Sequence, residues 1–265
     1  MISFDTDAFR GIGIALGERT LPDEVRRKIA VSPITAIEVL SQLSIAKAEN
    51  ILAQIHAMRK WLPEPAALLD WPDSYISEHA FGHRVENDDY RHIGDAFNAC
   101  LVADKADQVK DAAKGLKDLL DGAKNAQMQR DRAVVEALRK GPVDWSKHPL
   151  YFAQGLANRV GRTFEAGLEA RIVERLSAYF EFQMESLRRA LEDTKYNFEK
   201  HQNRALDGEQ LVYLADPAHH FITLDGGFRC IKESPQRTRV HILDTKTLLD
   251  APTVIKLLSE IASKA

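Results

Sequence analysis

Cysteine is scarce in this sequence, and long apolar runs are missing. Cys100 and Cys230 are the two cysteines in 265 residues, and neither belongs to a CxxC pair. This excludes a disulfide framework and a CxxC zinc or redox motif, and it indicates a reducing compartment. No apolar run reaches the roughly 18 residues of a membrane span, and the N-terminus lacks a basic segment followed by an apolar one. We therefore expect a cytoplasmic protein without a membrane anchor.

The chain also lacks a large excess of either charge. It has 36 Lys and Arg against 39 Asp and Glu, a net charge of −3 at pH 7. This argues against a protein whose whole surface is built to hold nucleic acid. It is compatible with a local basic rim around an acidic, metal-filled pocket. With 45% hydrophobic residues, the chain is long enough for one large core or two modest ones.

Patterns typical of α/β structure occur at both ends of the chain, with a long helical stretch between them. Short apolar runs predict buried strands at Ile2–Phe4, Ile29–Val31, 221–224 and 240–243. Between these pairs of strands, from about 93 to 200, apolar residues recur at helical spacing. The fold class that this order favours is α/β, with a central parallel sheet flanked by helices and a helical segment inserted into it.

The predicted domain boundaries follow from this change of pattern. Residues 1–62 and 203–265 are expected to form the α/β domain, and 63–202 a mainly α-helical insertion. The longest helix is predicted from about 151 to 198. Its apolar stripe between 168 and 191 is typical of a packing seam, although an exposed stripe would instead provide an interaction surface.

Acidic residues follow two of the predicted strands. Asp5 comes directly after the first strand, and Asp225 after the strand that ends at 224. Ligands of open α/β sheets bind beyond the carboxyl ends of the strands, so these two carboxylates are candidates to share one crevice. Glu38 belongs to a helix for which Ser32 is the expected N-cap and Pro33 the first residue, and it can reach the same edge.

The order of these acids resembles the PIN-domain family of metal-dependent ribonucleases. Phe4-Asp5-Thr6-Asp7 is similar to that family's D-T/S-N context after the first strand, and the segment 32–38, SPITAIE, matches its S-x-x-T-x-x-E pattern. Leu206-Asp207-Gly208 resembles the third acid, which opens a helix. Thr223-Leu224-Asp225-Gly226-Gly227-Phe228 reproduces a T-x-D-x-x-F pattern. The third and fourth acids are 18 residues apart (225 − 207), close to the spacing in the family.

The resemblance covers roughly residues 1–60 and 203–265 and implies an endoribonuclease. The implied catalytic residues and metal ligands are Asp5, Glu38, Asp207 and Asp225. Their carboxylates would hold Mg²⁺ or Mn²⁺, which prefer oxygen ligands and activate a water for attack on the RNA backbone. Thr6 and Thr223 are implied to orient the carboxylates by hydrogen bonding. DNA as a substrate stays open.

Two assignments near the C-terminal acids have alternatives. Glu209 and Asp216 are close enough in sequence to Asp207 to compete as the third acid. The residues expected to line the mouth of the pocket and bind RNA phosphates are Arg229, Lys232, Arg237 and Arg239. The other interpretation of these four is a solvated loop with incidental charge.

Three other interpretations of the whole pattern remain. The acids can be ordinary turn and helix-start residues. Asp5-Thr6-Asp7 also resembles the D-x-D opening of haloacid-dehalogenase-type phosphatases, but Ala8-Phe9 follows where that family usually has Gly-Thr or a similar small pair. Finally, a catalytically inactive PIN-like scaffold would act through its helical insertion, which would bind another protein or a second copy of the chain.

Overall fold

A computed structural model describes residues 1–44, 48–84, 90–165 and 167–265. The structure is mostly helical (66%) and contains a small three-stranded parallel sheet, which agrees with the predicted α/β class. Within the described ranges, no helix combines the length and the apolar character needed to cross a membrane.

The described helices and strands follow one another in this order: β1 (Ile2–Phe4), α1 (Thr6–Leu16), α2 (Asp23–Arg26), α3 (Pro33–Ser41), α4 (Ala48–Arg59), α5 (Pro72–His79), α6 (Arg91–Val102), α7 (Lys110–Leu138), α8 (His148–Arg159), α9 (Glu169–Arg175), α10 (Ser177–Glu192), α11 (Arg204–Glu209), β2 (His220–Thr223), β3 (Val240–Ile242) and α12 (Ala251–Ala262). A 3₁₀ segment, Gln210–Ala215, joins α11 to the turn before β2.

The sheet has the order β1-β2-β3, and both pairs of strands are parallel. On the other side of β1, Ile29 forms a single parallel bridge with Ile2, and Val31 forms another with Leu68. The predicted strand at Ile29–Val31 is thus present only as isolated bridges. If these bridges are counted, the segments that follow β1 in the chain lie on one side of β1. β2 and β3, which come last in the chain, lie on its other side. The order therefore reverses between β1 and β2.

Helices cover both faces of the sheet. Side chains of successive strand residues point to opposite faces, and in β2 the neighbours Phe221 and Ile222 belong to two different hydrophobic cores. The core around Ile222 includes α1, α3, α4, α6, part of α7 and α12. The core around Phe221 includes α5, α8, α9, α10 and the segment Gln210–Ala215. The helices between 63 and 202 therefore contribute to both cores.

The long helical predictions need correction at two places. The single helix expected from about 151 to 198 is three helices, α8, α9 and α10. α8 ends just before Gly161, whose φ of 66° is a left-handed conformation that glycine adopts easily. Conversely, the apolar residues around 109–120 and around 134–138 predict two separate helices, but α7 is one helix of 29 residues. Gly115 and Gly122 lie inside it, which a helix tolerates at a cost of about 1 kcal/mol each.

The apolar stripe of α9 and α10 is a packing seam, as its regularity predicts. Ile172, Leu176 and Phe180 are buried in the core around Phe221. Leu168, Leu187 and Leu191 are half-buried. The stripe therefore provides packing for the fold and offers no continuous exposed apolar face.

Candidate metal and nucleic-acid site

Asp5 is fixed at the carboxyl edge of the sheet. Its backbone N–H donates to the carbonyl of Ile222 at 3.0 Å, which continues the pairing of β1 with β2. Its carboxylate caps α1 by accepting from the backbone N–H of Ala8 at 2.7 Å. The hydroxyl of Thr223, at the end of β2, donates to the other carboxylate oxygen. Burial raises the pKa of Asp5 to about 6, although these hydrogen bonds oppose the shift.

Asp225 lies at the same edge, two residues beyond β2. Its backbone N–H donates to the hydroxyl of Thr223 at 2.9 Å, so this threonine links Asp225 to Asp5. The exposed carboxylate of Asp225 accepts from the backbone N–H of Gly227 at 2.7 Å. A Cβ at Gly227 would lie 2.8 Å from that carboxylate, so the second glycine of the Asp-Gly-Gly sequence leaves room for the turn.

Glu38 approaches the edge from α3. Ser32 caps this helix, as predicted, by accepting from the backbone N–H of Thr35 at 3.1 Å. One oxygen of Glu38 accepts a hydrogen bond from the hydroxyl of Thr6. The other lies 3.8 Å from Nζ of Lys124, and the two side chains are only 19% and 14% exposed. An acid from the N-terminal part of the chain thus pairs with a cation from α7.

A buried polar chain holds α3 against β1. The hydroxyl of Ser32 donates to Oε1 of Gln210 at 2.7 Å, and Nε2 of Gln210 donates to the hydroxyl of Thr35 at 3.0 Å. That hydroxyl donates in turn to the carbonyl of Phe4 at 2.8 Å. The three polar side chains are at most 2% exposed. No motif in the sequence predicts Gln210 as a site residue; the lone amide directly before the apolar run 211–215 is the signal that could have identified it.

Asp207 faces the other three acids from α11. This helix lies tightly against α10, since a Cβ at Gly208 would be 2.5 Å from Nε2 of Gln183 and 3.3 Å from the ring of Phe182. Burial is the main cause that raises the pKa of Asp207 to about 8. The nearby charges that raise it further are those of Glu38, Asp225 and Asp5. The four acids therefore share one electrostatic environment.

The two competitors for the third position lie elsewhere. Both carboxylate oxygens of Glu209 accept from the guanidinium of Arg159, at 2.7 and 2.8 Å, in the wall of a different cavity. Asp216 precedes β2 and accepts from the backbone N–H of Ala218 at 2.9 Å, at the amino end of the sheet. Of the three candidates, Asp207 is the one that lines the same cleft as Asp5.

The cleft at this edge has a volume of about 480 Å³. Its lining includes six carboxylates, those of Asp5, Asp7, Glu38, Asp121, Asp207 and Asp225. Two lysines of α7, Lys117 and Lys124, also line it. No motif between Glu38 and Lys117 indicates where α7 lies, so its contact with the acids could not be predicted from the sequence.

The donor set suits a hard divalent cation, although the carboxylates are not gathered around one point. Among the described residues, no three acidic, histidine or cysteine side chains lie close enough to hold one ion together. Each of Asp5, Glu38 and Asp225 makes the hydrogen bonds given above instead. Mg²⁺ usually keeps several waters and takes one or two carboxylates directly, so widely spaced oxygen ligands fit its chemistry.

Two of the four basic residues predicted to line the pocket mouth do not reach it. Arg237 donates to the carbonyl of Val240 at 2.8 Å, and Arg239 donates to the carbonyls of Leu214, Asp216 and His219 at 2.6–3.0 Å. These carbonyls lie around the amino ends of β2 and β3, opposite the acids. Since three backbone carbonyls hold Arg239 and one holds Arg237, all at the end of the sheet opposite the acids, we do not retain Arg237 and Arg239 as phosphate-binding residues.

Arg229 and Lys232 lie nearer to the acids. Both line a groove next to the Gly226-Gly227 turn, together with Arg188 and Arg189 of α10. The groove also contains acidic side chains, and Glu185 pairs with both arginines of α10. The structure thus places Arg229 and Lys232 beside the acidic cleft, on the far side of the turn that carries Asp225.

The comparisons with known proteins give no match: no family model, no curated protein and no solved structure is detectably similar to this chain. Its function is therefore inferred from its own residues and their arrangement.

Proposed function

We propose that this chain is a metal-dependent endoribonuclease with a PIN-like α/β domain. The observation that carries the proposal is the convergence of four motif acids at one edge of a parallel sheet, at the point where the strand order reverses. Ligand sites of open α/β sheets form at such points. The acids proposed to bind Mg²⁺ or Mn²⁺ are Asp5, Glu38, Asp207 and Asp225. Burial is the main cause of the raised pKa of Asp207 and repulsion from the other three acids adds to it; a bound cation would relieve that repulsion.

The residues divide the work of the reaction. A bound Mg²⁺ or Mn²⁺ would supply Lewis acidity and lower the pKa of a water that attacks the phosphodiester. Thr223 and the first turn of α1 hold the carboxylate of Asp5 in place, and Thr6 holds that of Glu38. Asp207 retains a proton near neutral pH because of its raised pKa, and it gives that proton up when positive charge enters the cleft.

RNA is the proposed substrate, and the groove beside the cleft is the proposed path for its backbone. Arg229 and Lys232 line this groove next to the turn that carries Asp225. Lys and Arg contacts to phosphates position a nucleic acid without reading its sequence. Because these two residues make few phosphate contacts, we expect the chain to bind single-stranded RNA weakly, with an affinity that falls as the salt concentration rises.

The scaffold alternative has less support. It requires a continuous exposed apolar surface on the helical segment. The stripe of α9 and α10 is buried or half-buried, and among the described residues of the segment the exposed large apolar side chains are four: Val102, Leu119, Val134 and Tyr151. The helices between 63 and 202 also fill both cores, which gives them a structural role without any partner.

The test is cleavage of labelled single-stranded and structured RNAs in Mn²⁺, Mg²⁺ or EDTA. We expect cleavage that requires metal, disappears in Asp5→Asn and Asp225→Asn, and persists in the matched control Asp216→Asn, whose carboxylate lies at the opposite end of β2. Absence of cleavage in every condition, with a folded wild type that fails to bind Mn²⁺ in calorimetry, would refute the proposal and favour the scaffold.

A further inference from the structure

One wall of the acidic cleft comes from α7, which belongs to the segment that the sequence predicts to be an insertion. α7 packs against α3, the helix of Glu38. Lys117, Asp121 and Lys124 are spaced four and three residues apart, so they project from one face of α7. All three line the cleft. The helical segment therefore contributes charged groups to the site as well as apolar groups to the cores.

The two lysines on this face differ in their partners. Lys117 forms an ion pair with Asp121 on its own helix, and its side chain is 38% exposed. Lys124 is only 14% exposed and faces Glu38 of another helix. Its Nζ lies 3.8 Å from the carboxylate, whereas charged N–H···O hydrogen bonds are about 2.7–2.9 Å long. Charge therefore attracts Lys124 to Glu38 without a tight hydrogen bond between them.

We propose that Lys124 binds a phosphate of the RNA at the cleavage site, a role that rests on the proposed nuclease function. A divalent cation that binds Glu38 competes with the ammonium group for the same carboxylate. The ammonium group of Lys124 then loses its anionic partner inside the cleft, and an incoming phosphodiester provides a new one. Lysine binds phosphate as a point charge on a flexible stem, which permits this change of partner. In the proposed cycle, Lys124 pairs with Glu38 before metal binds and with phosphate afterwards.

The first measurement is the salt dependence of binding to a labelled single-stranded RNA in Mn²⁺, with fluorescence anisotropy as the readout. A phosphorothioate backbone in this RNA resists cleavage during the titration and leaves all four proposed metal-binding acids intact. Each phosphate contact contributes about 0.7 to the slope of log affinity against log salt for single strands. We expect Lys124→Met to reduce the slope by about 0.7 and the matched control Lys114→Met, an exposed lysine of the same helix, to leave it unchanged.

The second measurement separates phosphate binding from a merely structural role. Lys124→Met removes the cation that competes for Glu38, so without RNA and with Asp5 intact the variant should bind Mn²⁺ more tightly than the wild type in calorimetry. A damaged fold would weaken Mn²⁺ and RNA binding together and lower the thermal midpoint. Opposite changes in the two affinities, with an unchanged midpoint, are the result expected for Lys124.

Two failures are distinguishable. If the wild type cleaves RNA but Lys124→Met has the same salt slope as Lys114→Met, the role of Lys124 is refuted and the nuclease proposal stands. If the wild type neither cleaves RNA nor binds Mn²⁺, the nuclease proposal fails, and the role of Lys124 fails with it.

Discussion

Binding of Mn²⁺ to the acidic cleft should release about one proton at neutral pH. Metal ligands must be ionised, so any proton held by the carboxylates leaves when the ion binds. With a pKa of about 8, Asp207 is protonated in about 0.9 of the molecules at pH 7, and Asp5, with a pKa of about 6, in about 0.1. The sum is about one proton at pH 7. At pH 9 it falls to about 0.1.

The assay is isothermal titration of Mn²⁺ into the protein in several buffers that differ in ionisation enthalpy. The apparent enthalpy, plotted against that of the buffer, has the number of released protons as its slope. Because protons compete with the metal, Mn²⁺ affinity should rise with pH up to about pH 8 and level off above it. Asp207→Asn should release only about 0.1 proton at pH 7.

Equal proton release at pH 7 and pH 9, or none at either, would show that burial and the three neighbouring charges do not hold a proton on Asp207. Release of one proton by the wild type and also by Asp207→Asn would assign the proton to another group. Either result contradicts the electrostatic coupling of the four acids on which the proposed site depends.

Three further predictions concern stability and RNA binding. The pKa of Asp207 is raised above 3.8 in the folded state, so its ionisation destabilises the fold increasingly from about pH 4 to about pH 8. Asp207→Asn should therefore raise the thermal midpoint in metal-free scanning calorimetry. This gain should grow from pH 5 to pH 8 and stay constant above pH 8. A constant gain would contradict this. Gln210→Ala removes the partner of the buried hydroxyls of Ser32 and Thr35 and should lower the free energy of unfolding in urea by about 1–3 kcal/mol. A loss below about 0.5 kcal/mol would show that Gln210 does not hold α3 in place. Arg239→Leu should lower the free energy of unfolding and leave the affinity for RNA unchanged. Arg229→Met should leave the free energy of unfolding unchanged and weaken RNA binding. Weaker RNA binding by folded Arg239→Leu would contradict a purely structural role for Arg239.

The sequence predicts those parts of the site that depend on local structure. A strand followed by Asp5, and a helix capped by Ser32 with Glu38 in its second turn, are both readable from a few consecutive residues. Parallel strands bring their carboxyl ends to one edge, so the meeting of Asp5 and Asp225 also follows from the pattern. These features are set by short-range geometry, which a single sequence contains.

The parts that could not be predicted depend on contacts between distant segments. Nothing near Lys124 in the sequence indicates that it meets Glu38, 86 positions earlier (124 − 38). The arginines at 237 and 239 appear in sequence to follow Asp225 closely, yet they lie at the other end of the sheet because β3 starts beyond them. The connection between two parallel strands must return from the carboxyl end of one to the amino end of the next, a distance of roughly 10 Å for strands of three or four residues, so residues close to Asp225 along the chain can lie far from it in space.

The acids can meet despite the long segment between Glu38 and Asp207 because direct contacts, rather than chain length, hold their elements together. β1 pairs with β2 across more than 200 residues, and Gln210 ties the segment after α11 to α3. A segment of any length is compatible with these contacts if it leaves the edge of the sheet accessible. Here the segment does more, because Phe97 and Phe182 fill the two cores and Lys124 enters the cleft. Removal of residues 63–202 would expose both cores, so this helical segment is a necessary part of the fold and, on the nuclease proposal, of the active site.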